Sequence, residues 1–167
     1  KSTFLLSQFA NEVNWQRRDD PLSLVKELNH AIYNAFEYNQ ETTRVDSPID
    51  EALSARRGVC QDFTHIMLTM LRKIGIPARY VSGYLETIPP KGKERLVGAD
   101  ASHAWFSVFV PHQGWIDFDP TNARIPADQH ITAAWGRDYA DVAPLKGVIF
   151  GGGKKHQLEV AVDVERI

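Results

Sequence analysis

The stretch from residue 57 to residue 85 constrains the fold of this chain more than any other. Apolar residues recur there at the i, i+3, i+4, i+7 spacing of a helix with one buried face, at Phe63, Ile66, Met67, Met70, Leu71 and Ile74. Gly75 and Pro77 stand where such a helix ends. Residues 79–85 then alternate and are rich in Tyr and Val, which favours a strand. The pattern therefore predicts a mostly buried helix followed at once by a strand.

The only cysteine of the chain, Cys60, lies at the start of that helix. The first turn of a helix leaves N–H groups unpaired and carries the positive end of the helix dipole, so a thiolate is stabilised there. The same N–H groups can donate to an oxyanion. Alternatively, Cys60 is a small buried hydrophobe, as many free cysteines are. Its position alone leaves both interpretations open.

The amino-acid composition limits the classes of protein to which this chain can belong. The chain has 167 residues, of which 43% are hydrophobic and 24% charged, and we expect residues 1–167 to form a single domain. The net charge of −2 gives no electrostatic basis for binding nucleic acid or an anionic membrane. One cysteine forms no internal disulfide, so the predicted compartment is the cytosol and the protein is predicted to be cytoplasmic. Because the chain begins at Lys1, we also expect that it could be a fragment of a longer protein.

The order of the remaining elements indicates the fold class. Before the cysteine helix, helices are predicted over residues 4–14, over residues 21–38 with Asp20 as N-cap, and after Ser47, which with Asp50 supplies a capping pattern. Strands are predicted over residues 79–85, 102–110, 115–118 and 156–164, with a tight turn at 111–114 and a helical turn around 131–135. Helices first and strands later indicate an α+β fold.

A cysteine nucleophile needs a base and a third group that orients the base. Among six histidines, His103 is distinctive because it begins a strand directly after a long polar loop. The turn at residues 111–114 brings the next strand back beside it, so Asp117 or Asp119 can meet His103 across two strands. The spacing does not separate these two carboxylates.

Three motifs together resemble the transglutaminase-like core of bacterial proteins. They are Gly-x-Cys opening a helix, His-Ala-Trp on a strand, and Trp-x-x-Phe-Asp-Pro-Thr-Asn, and the resemblance extends from about residue 22 to the last strand. It implies a papain-like architecture, in which N-terminal helices precede a cysteine helix packed on an antiparallel β-sheet. It also implies a catalytic triad of Cys60, His103 and Asp119, and so selects Asp119 over Asp117. In this family the core often follows a β-rich N-terminal domain, which we expect upstream of Lys1.

The resemblance implies a cysteine peptidase or amidase that transfers an acyl group from a protein or peptide amide through a Cys60 thioester. Hydrolysis is favoured because the sequence gives no sign of an acidic groove for an amine. A transamidase and a non-catalytic scaffold that retains the fold are the alternatives. No cofactor is expected. A zinc site of Cys60, His65 and His103 is disfavoured because the spacing is not that of metal ligands.

Four further residues are predicted to bind substrate. Trp105 and Trp115 are candidates for the walls of the acyl-binding cleft, although two large aromatic residues in strands also suit a core. Gln61, in the first turn of the cysteine helix, and Tyr84, in the strand that follows the helix, complete the set.

Overall fold

The computed structural model describes residues 3–88, 91, 101–143, 147 and 161–165. Its helices are α1 (Phe4–Glu12), α2 (Pro21–Ala35), α3 (Ile49–Ala55) and α4 (Cys60–Lys73), with a 3₁₀ turn at Tyr139–Asp141. Its strands are β1 (Glu37–Tyr38), β2 (Arg57–Gly58), β3 (Ala78–Leu85), β4 (Ala101–Val110), β5 (Gly114–Phe118) and β6 (His130–Gly136). None of the helices in this described part is long and apolar enough to cross a bilayer.

The α+β fold is confirmed. Strands β5, β4, β3 and β6 form one antiparallel sheet in that order, and α4 packs against β3 and β4. The buried apolar residues of α4 join those of α1 and α2 and one face of the sheet in a single core. The short strands β1 and β2 pair in parallel. Strand β2 leads directly into α4 and so fixes the position of Cys60 at the start of that helix.

Local signals explain the helix boundaries. The Asp20 carboxylate accepts from the backbone N–H groups of Leu22 and Ser23, which confirms it as the N-cap of α2. Gly75 adopts φ +78° just beyond α4, in the left-handed region that favours glycine. At α3 the predicted cap is wrong. Pro48 occupies the N-cap position, and the Ser47 hydroxyl instead donates to the Glu51 carboxylate at 2.6 Å.

The helical turn predicted around residues 131–135 is also wrong, because these residues belong to β6. The two alanines at 133 and 134 suit a helix, but pairing of six β6 residues with β3 overrides that local preference. The last strand, predicted over residues 156–164, lies mostly outside the described residues, and residues 161–165 carry no regular element.

A β-bulge interrupts the pairing of β3 with β6. Ser82 pairs with Ala134 and Gly83 with Thr132, so Ala133 is an extra residue on β6. Side chains alternate between the two faces of a strand, so one extra residue transfers all those before it to the other face. The bulge therefore decides which face of the sheet His130 joins.

Candidate active site

Cys60 is the first residue of α4, and Asp62 stabilises the turn that presents Cys60. The Asp62 carboxylate is buried and accepts from the Val59 backbone N–H at 2.9 Å and from the Thr43 hydroxyl at 2.6 Å. A Cβ on Gly58 would approach this carboxylate to 2.6 Å, so the glycine leaves room for it. Cys60 is partly exposed, at a helix end that favours negative charge.

His103 and Asp119 form a buried pair beside Cys60. His103 Nε2 lies 2.8 Å from Asp119 Oδ2, and their side chains are 8% and 0% exposed. The backbone N–H groups of Thr121 and Asn122 donate to Asp119 Oδ1 at 2.9 and 3.3 Å. The turn that follows β5 therefore satisfies one carboxylate oxygen and leaves the other for side chains.

The electrostatics of the pair favour two charged groups. Burial alone lowers the pKa of His103, but its side-chain hydrogen bonds with Asp119 and Cys60 outweigh burial and raise that pKa to about 10. Burial alone raises the pKa of Asp119, but hydrogen bonds from His103 and His130 hold that pKa well below its ordinary value. Both pKa shifts therefore favour an imidazolium next to a carboxylate at neutral pH.

Asp117 has different partners. Its carboxylate accepts from the Trp105 indole N–H at 2.9 Å and from the Ser107 hydroxyl. Trp105 is fully buried and lies 6.0 Å from the His103 ring, centroid to centroid, so it packs behind the imidazole and forms no exposed cleft wall. The structure thus pairs His103 with Asp119 and uses Asp117 to fix Trp105.

The sequence reasoning missed His130, which lies on the opposite edge strand. His130 Nε2 is 3.0 Å from the same Asp119 oxygen that His103 contacts, and its side chain is 6% exposed. No local signal marked it, since residues 131–135 were expected to be helical. Only the pairing of β6 with β3 and the bulge at Ala133 bring it to the site.

His103, Asp119 and His130 could hold a metal ion, because one ligand atom from each lies within 4.8 Å of the others. The contacts of 2.8 and 3.0 Å are however hydrogen-bond distances, and Oδ2 also accepts from the Asn122 amide at 2.7 Å. We therefore describe the cluster as a hydrogen-bond network. His65 is not part of it, since its Nε2 accepts from the Tyr139 backbone N–H at 3.3 Å.

A cleft of about 430 Å³ opens beside His103. Two half-exposed tyrosines, Tyr33 and Tyr38, line one part of it, and Ser102, Thr121 and Asn122 give it polar groups. None of its lining residues among the described ones is acidic.

The other predicted substrate residues lie at varying distances from this cleft. Gln61 uses its amide to donate to the Val45 carbonyl at 2.8 Å, and Tyr84 pairs with Ser102 next to the site. Trp115 is not at the site, because the hairpin register pairs it with Phe109. Six positions of β4, roughly 20 Å of strand, separate Phe109 from His103.

Comparison with known proteins identifies the family. The Transglutaminase-like superfamily matches residues 7–120, a range that contains Cys60, His103 and Asp119. The chain belongs to the transglutaminase-like superfamily. The resemblance found in the sequence motifs is thereby confirmed, whereas His130 lies beyond the matched range.

Relatives of known sequence extend the comparison. An uncharacterised protein of Mycobacterium tuberculosis is 43% identical over 147 residues, which cover 86% of this chain and 47% of the relative. A protein-glutamine gamma-glutamyltransferase of Pseudomonas aeruginosa is 33% identical over 135 residues, covering 78% of this chain and 20% of that protein. The chain spans about half the length of its mycobacterial relatives.

Solved structures agree with the fold. A candidate cysteine protease from Cytophaga hutchinsonii superposes with a TM-score of 0.66 at 30% identity, covering 83% of this chain and 44% of that one. The periplasmic domain of TgpA from Pseudomonas aeruginosa gives a TM-score of 0.53 at 26% identity, covering 71% and 42%. The papain-like, transglutaminase-like architecture is therefore confirmed.

Proposed function

We propose that this chain transfers an acyl group from a protein or peptide amide through a thioester on Cys60. His103 acts as the base and then the acid, and Asp119 orients its imidazole. The observation that carries the proposal is the buried His103–Asp119 pair, whose imidazole is near enough to Cys60, the first residue of α4, for the cysteine to contribute to the raised pKa of His103. Since Nε2 faces Asp119, Nδ1 is the ring nitrogen left to act on the sulfur.

The chemistry follows from the charge state of the site. His103 takes the proton of the Cys60 thiol, which gives an imidazolium and a thiolate. The thiolate attacks the amide carbon, and the carbonyl oxygen becomes an oxyanion that the free N–H groups at the start of α4 can stabilise. The His103 imidazolium gives its proton to the amine nitrogen as the carbon–nitrogen bond breaks, which leaves a thioester and a neutral imidazole. The imidazole then takes a proton from water as the water oxygen attacks the thioester. Collapse of that second intermediate releases a carboxylic acid and restores the thiolate.

Hydrolysis is the favoured outcome. A transamidase must bind a cationic amine near the thioester, and the cleft beside His103 offers it no acidic residue among those described. The relative named as a gamma-glutamyltransferase keeps transamidation as the second candidate. The two differ in product, because water gives an acid and an amine gives a new amide.

Thiol alkylation tests whether the site is a catalytic one or a scaffold. An ordinary thiol is less than about 1% ionised at pH 6, so a thiolate paired with an imidazolium should react with iodoacetamide about 10- to 100-fold faster. We expect this for the folded protein and expect His103→Ala to remove most of the excess, measured by intact mass against time. Wild-type protein that reacts no faster than the same protein in urea would favour the scaffold.

The product of a glutamine-containing peptide separates hydrolysis from transamidation. In excess methylamine, we expect mass spectrometry to find mainly the glutamate peptide. A predominant methylamide would assign the chain to the transamidases.

The natural setting of the reaction is part of the same proposal. We propose a protein or peptide amide as the substrate, because the cleft is open and its described lining is uncharged apart from His103. The cytosol remains the predicted compartment from cysteine usage, and a β-rich domain upstream of Lys1 remains an expectation. The TgpA domain of similar fold is periplasmic, so fractionation of cells that express the natural protein is the direct measurement of location.

A further inference from the structure

Three side chains share one oxygen of Asp119. His103 Nε2, His130 Nε2 and the Asn122 amide lie 2.8, 3.0 and 2.7 Å from Oδ2, while Oδ1 is held by two backbone N–H groups. We infer that His130 is a positioning residue, which acts on the reaction by holding Asp119 and sharing its charge with His103. The inference rests on the proposed function for its catalytic meaning and on geometry alone for its structural part.

The fold delivers His130 to this position through the bulge on β6. Directly paired residues point to the same face of a sheet, so Trp135, Val81 and Trp105 share one face. A regular strand would turn His130 to the opposite face from Trp135, because the two residues lie an odd number of positions apart, five. The extra residue, Ala133, restores the match and places His130 on the face that carries His103.

Packing then fixes the ring of His130. The Trp105 indole meets it edge to face, with centroids 5.3 Å apart and planes at 86°. Gly83 makes this approach possible, because a Cβ there would lie 2.1 Å from the Ile131 carbonyl oxygen and 2.6 Å from Trp105. The same indole packs near His103, so one buried tryptophan braces both imidazoles.

The hydrogen-bond pattern defines the role of the ring. An ionised carboxylate only accepts, so His130 donates through an Nε2–H. Its Nδ1 is buried and has no hydrogen-bond partner within the described residues. Among the described residues, Asp119 is therefore the only polar partner of this ring. A buried ring with a single donor aimed at the orienting carboxylate is suited to holding that carboxylate still.

Two consequences follow from the shared oxygen. Without His130, Asp119 loses one of its restraints, so the imidazole of His103 is held less firmly in the orientation needed for proton transfer. We expect substrate binding in the cleft beside His103 to be unaffected, because His130 is not among the residues that line that cleft. The loss should therefore appear in kcat rather than in KM.

Hydrolysis of p-nitrophenyl acetate provides the test, with Cys60→Ser as the blank. We expect His130→Leu to lower kcat by about 10- to 100-fold, the worth of a hydrogen bond to a charged group, with KM within about twofold of wild type. His130→Gln should recover most of the loss, because its amide can donate to Oδ2. His65→Leu is the matched control, a partly buried histidine with no contact to Asp119, and should keep the wild-type kcat.

The outcomes separate this inference from the proposed function. Wild-type protein no faster than Cys60→Ser would refute the function. A His130→Leu enzyme with wild-type kcat, or a His130→Gln enzyme as slow as His130→Leu, would refute the positioning role. Activity that EDTA abolishes and Zn²⁺ restores would replace the hydrogen-bond network with a metal site.

NMR spectroscopy of the wild-type protein tests the inference without an activity assay and without any variant. In wild-type protein labelled with ¹⁵N-histidine, we expect at pH 8 one buried imidazole that carries its proton on Nε2 and has a bare Nδ1. Assignment comes from contacts with the Trp105 ring. A His130 that carries its proton on Nδ1 instead would overturn the inference.

Discussion

The two ends of one face of the sheet differ sharply. At the end where β4 begins, His103, Asp119 and His130 are almost completely buried and linked by hydrogen bonds. At the other end, Phe109, Trp115 and Trp135 are 41–60% exposed. There the Arg79 guanidinium lies 4.3 Å from the Trp115 ring and 4.4 Å from the Trp135 ring.

The difference shows at which end of the sheet the positions of the side chains are tightly constrained. At the buried end, both oxygens of the Asp119 carboxylate accept hydrogen bonds, so the His103 imidazole is held in one orientation. Moving any of these partners would leave a buried charge without a hydrogen bond. At the exposed end, water can replace each contact, and a cation–π contact contributes only about 0.5–1 kcal/mol. Trp105 lies between the two ends, and Asp117 fixes it there.

Replacing the two carboxylates separately should give the largest effect. We expect Asp119→Asn to reduce kcat by about 10³- to 10⁴-fold, because an amide no longer holds the required tautomer of His103. Asp117→Asn should cost less than about 10-fold, together with about 1–2 kcal/mol of stability from weakened contacts with Trp105 and Ser107. Steady-state kinetics and urea unfolding of both variants measure these effects, and the reverse ranking of kcat would move the orienting role to Asp117.

The pH dependence of stability sharpens the comparison next. The pKa of His103 is raised to about 10 in the folded protein, against about 6.5 when unfolded. Its contribution to stability is therefore complete below about pH 6.5 and disappears as the pH rises towards 10. We expect the free energy of unfolding of wild type, relative to that of His103→Gln, to fall across this interval in urea titrations. A constant difference would show that His103 is not held as an imidazolium.

The smallest effect is expected at the exposed end. Trp115→Ala should leave kcat within about twofold of wild type and lower the free energy of unfolding by about 1 kcal/mol or less, since it loses a half-exposed ring and one contact with Arg79. Kinetics and thermal unfolding measure both. A large loss of kcat with unchanged stability would mean that this end contacts substrate after all.

Features encoded over a few residues could be predicted from the sequence. The cap at Asp20, the stop at Gly75, the periodicity of α4 and the turn at residues 111–114 each depend on neighbours in the chain, and each was predicted at the right place. The position of Trp115 could also have been predicted from the sequence, since the same turn that brings Asp119 to His103 places Trp115 at the opposite end of the hairpin. That consequence of the hairpin register was overlooked.

Features created by distant pairing could not be predicted in this way. Strand β6 has an alanine-rich centre, and only its contact with β3 makes it a strand. His130 depends on that pairing and on a bulge that the sequence does not signal. The choice of Asp119 over Asp117 came from family resemblance, because residues two apart on a strand share a face and spacing cannot separate them.

The bulge makes the count of residues in β6 as important as their identity. If β6 kept its length but paired with β3 without the bulge, every residue type at the site would remain in the sequence, yet Ile131 would occupy the face now held by His130. An apolar side chain would then stand beside the buried carboxylate. A relative that lacks Ala133 would pair regularly and keep its histidine on this face, because four positions would then separate the histidine from the residue that matches Trp135. In such comparisons, the spacing between the two residues has to be considered together with the presence or absence of the bulge.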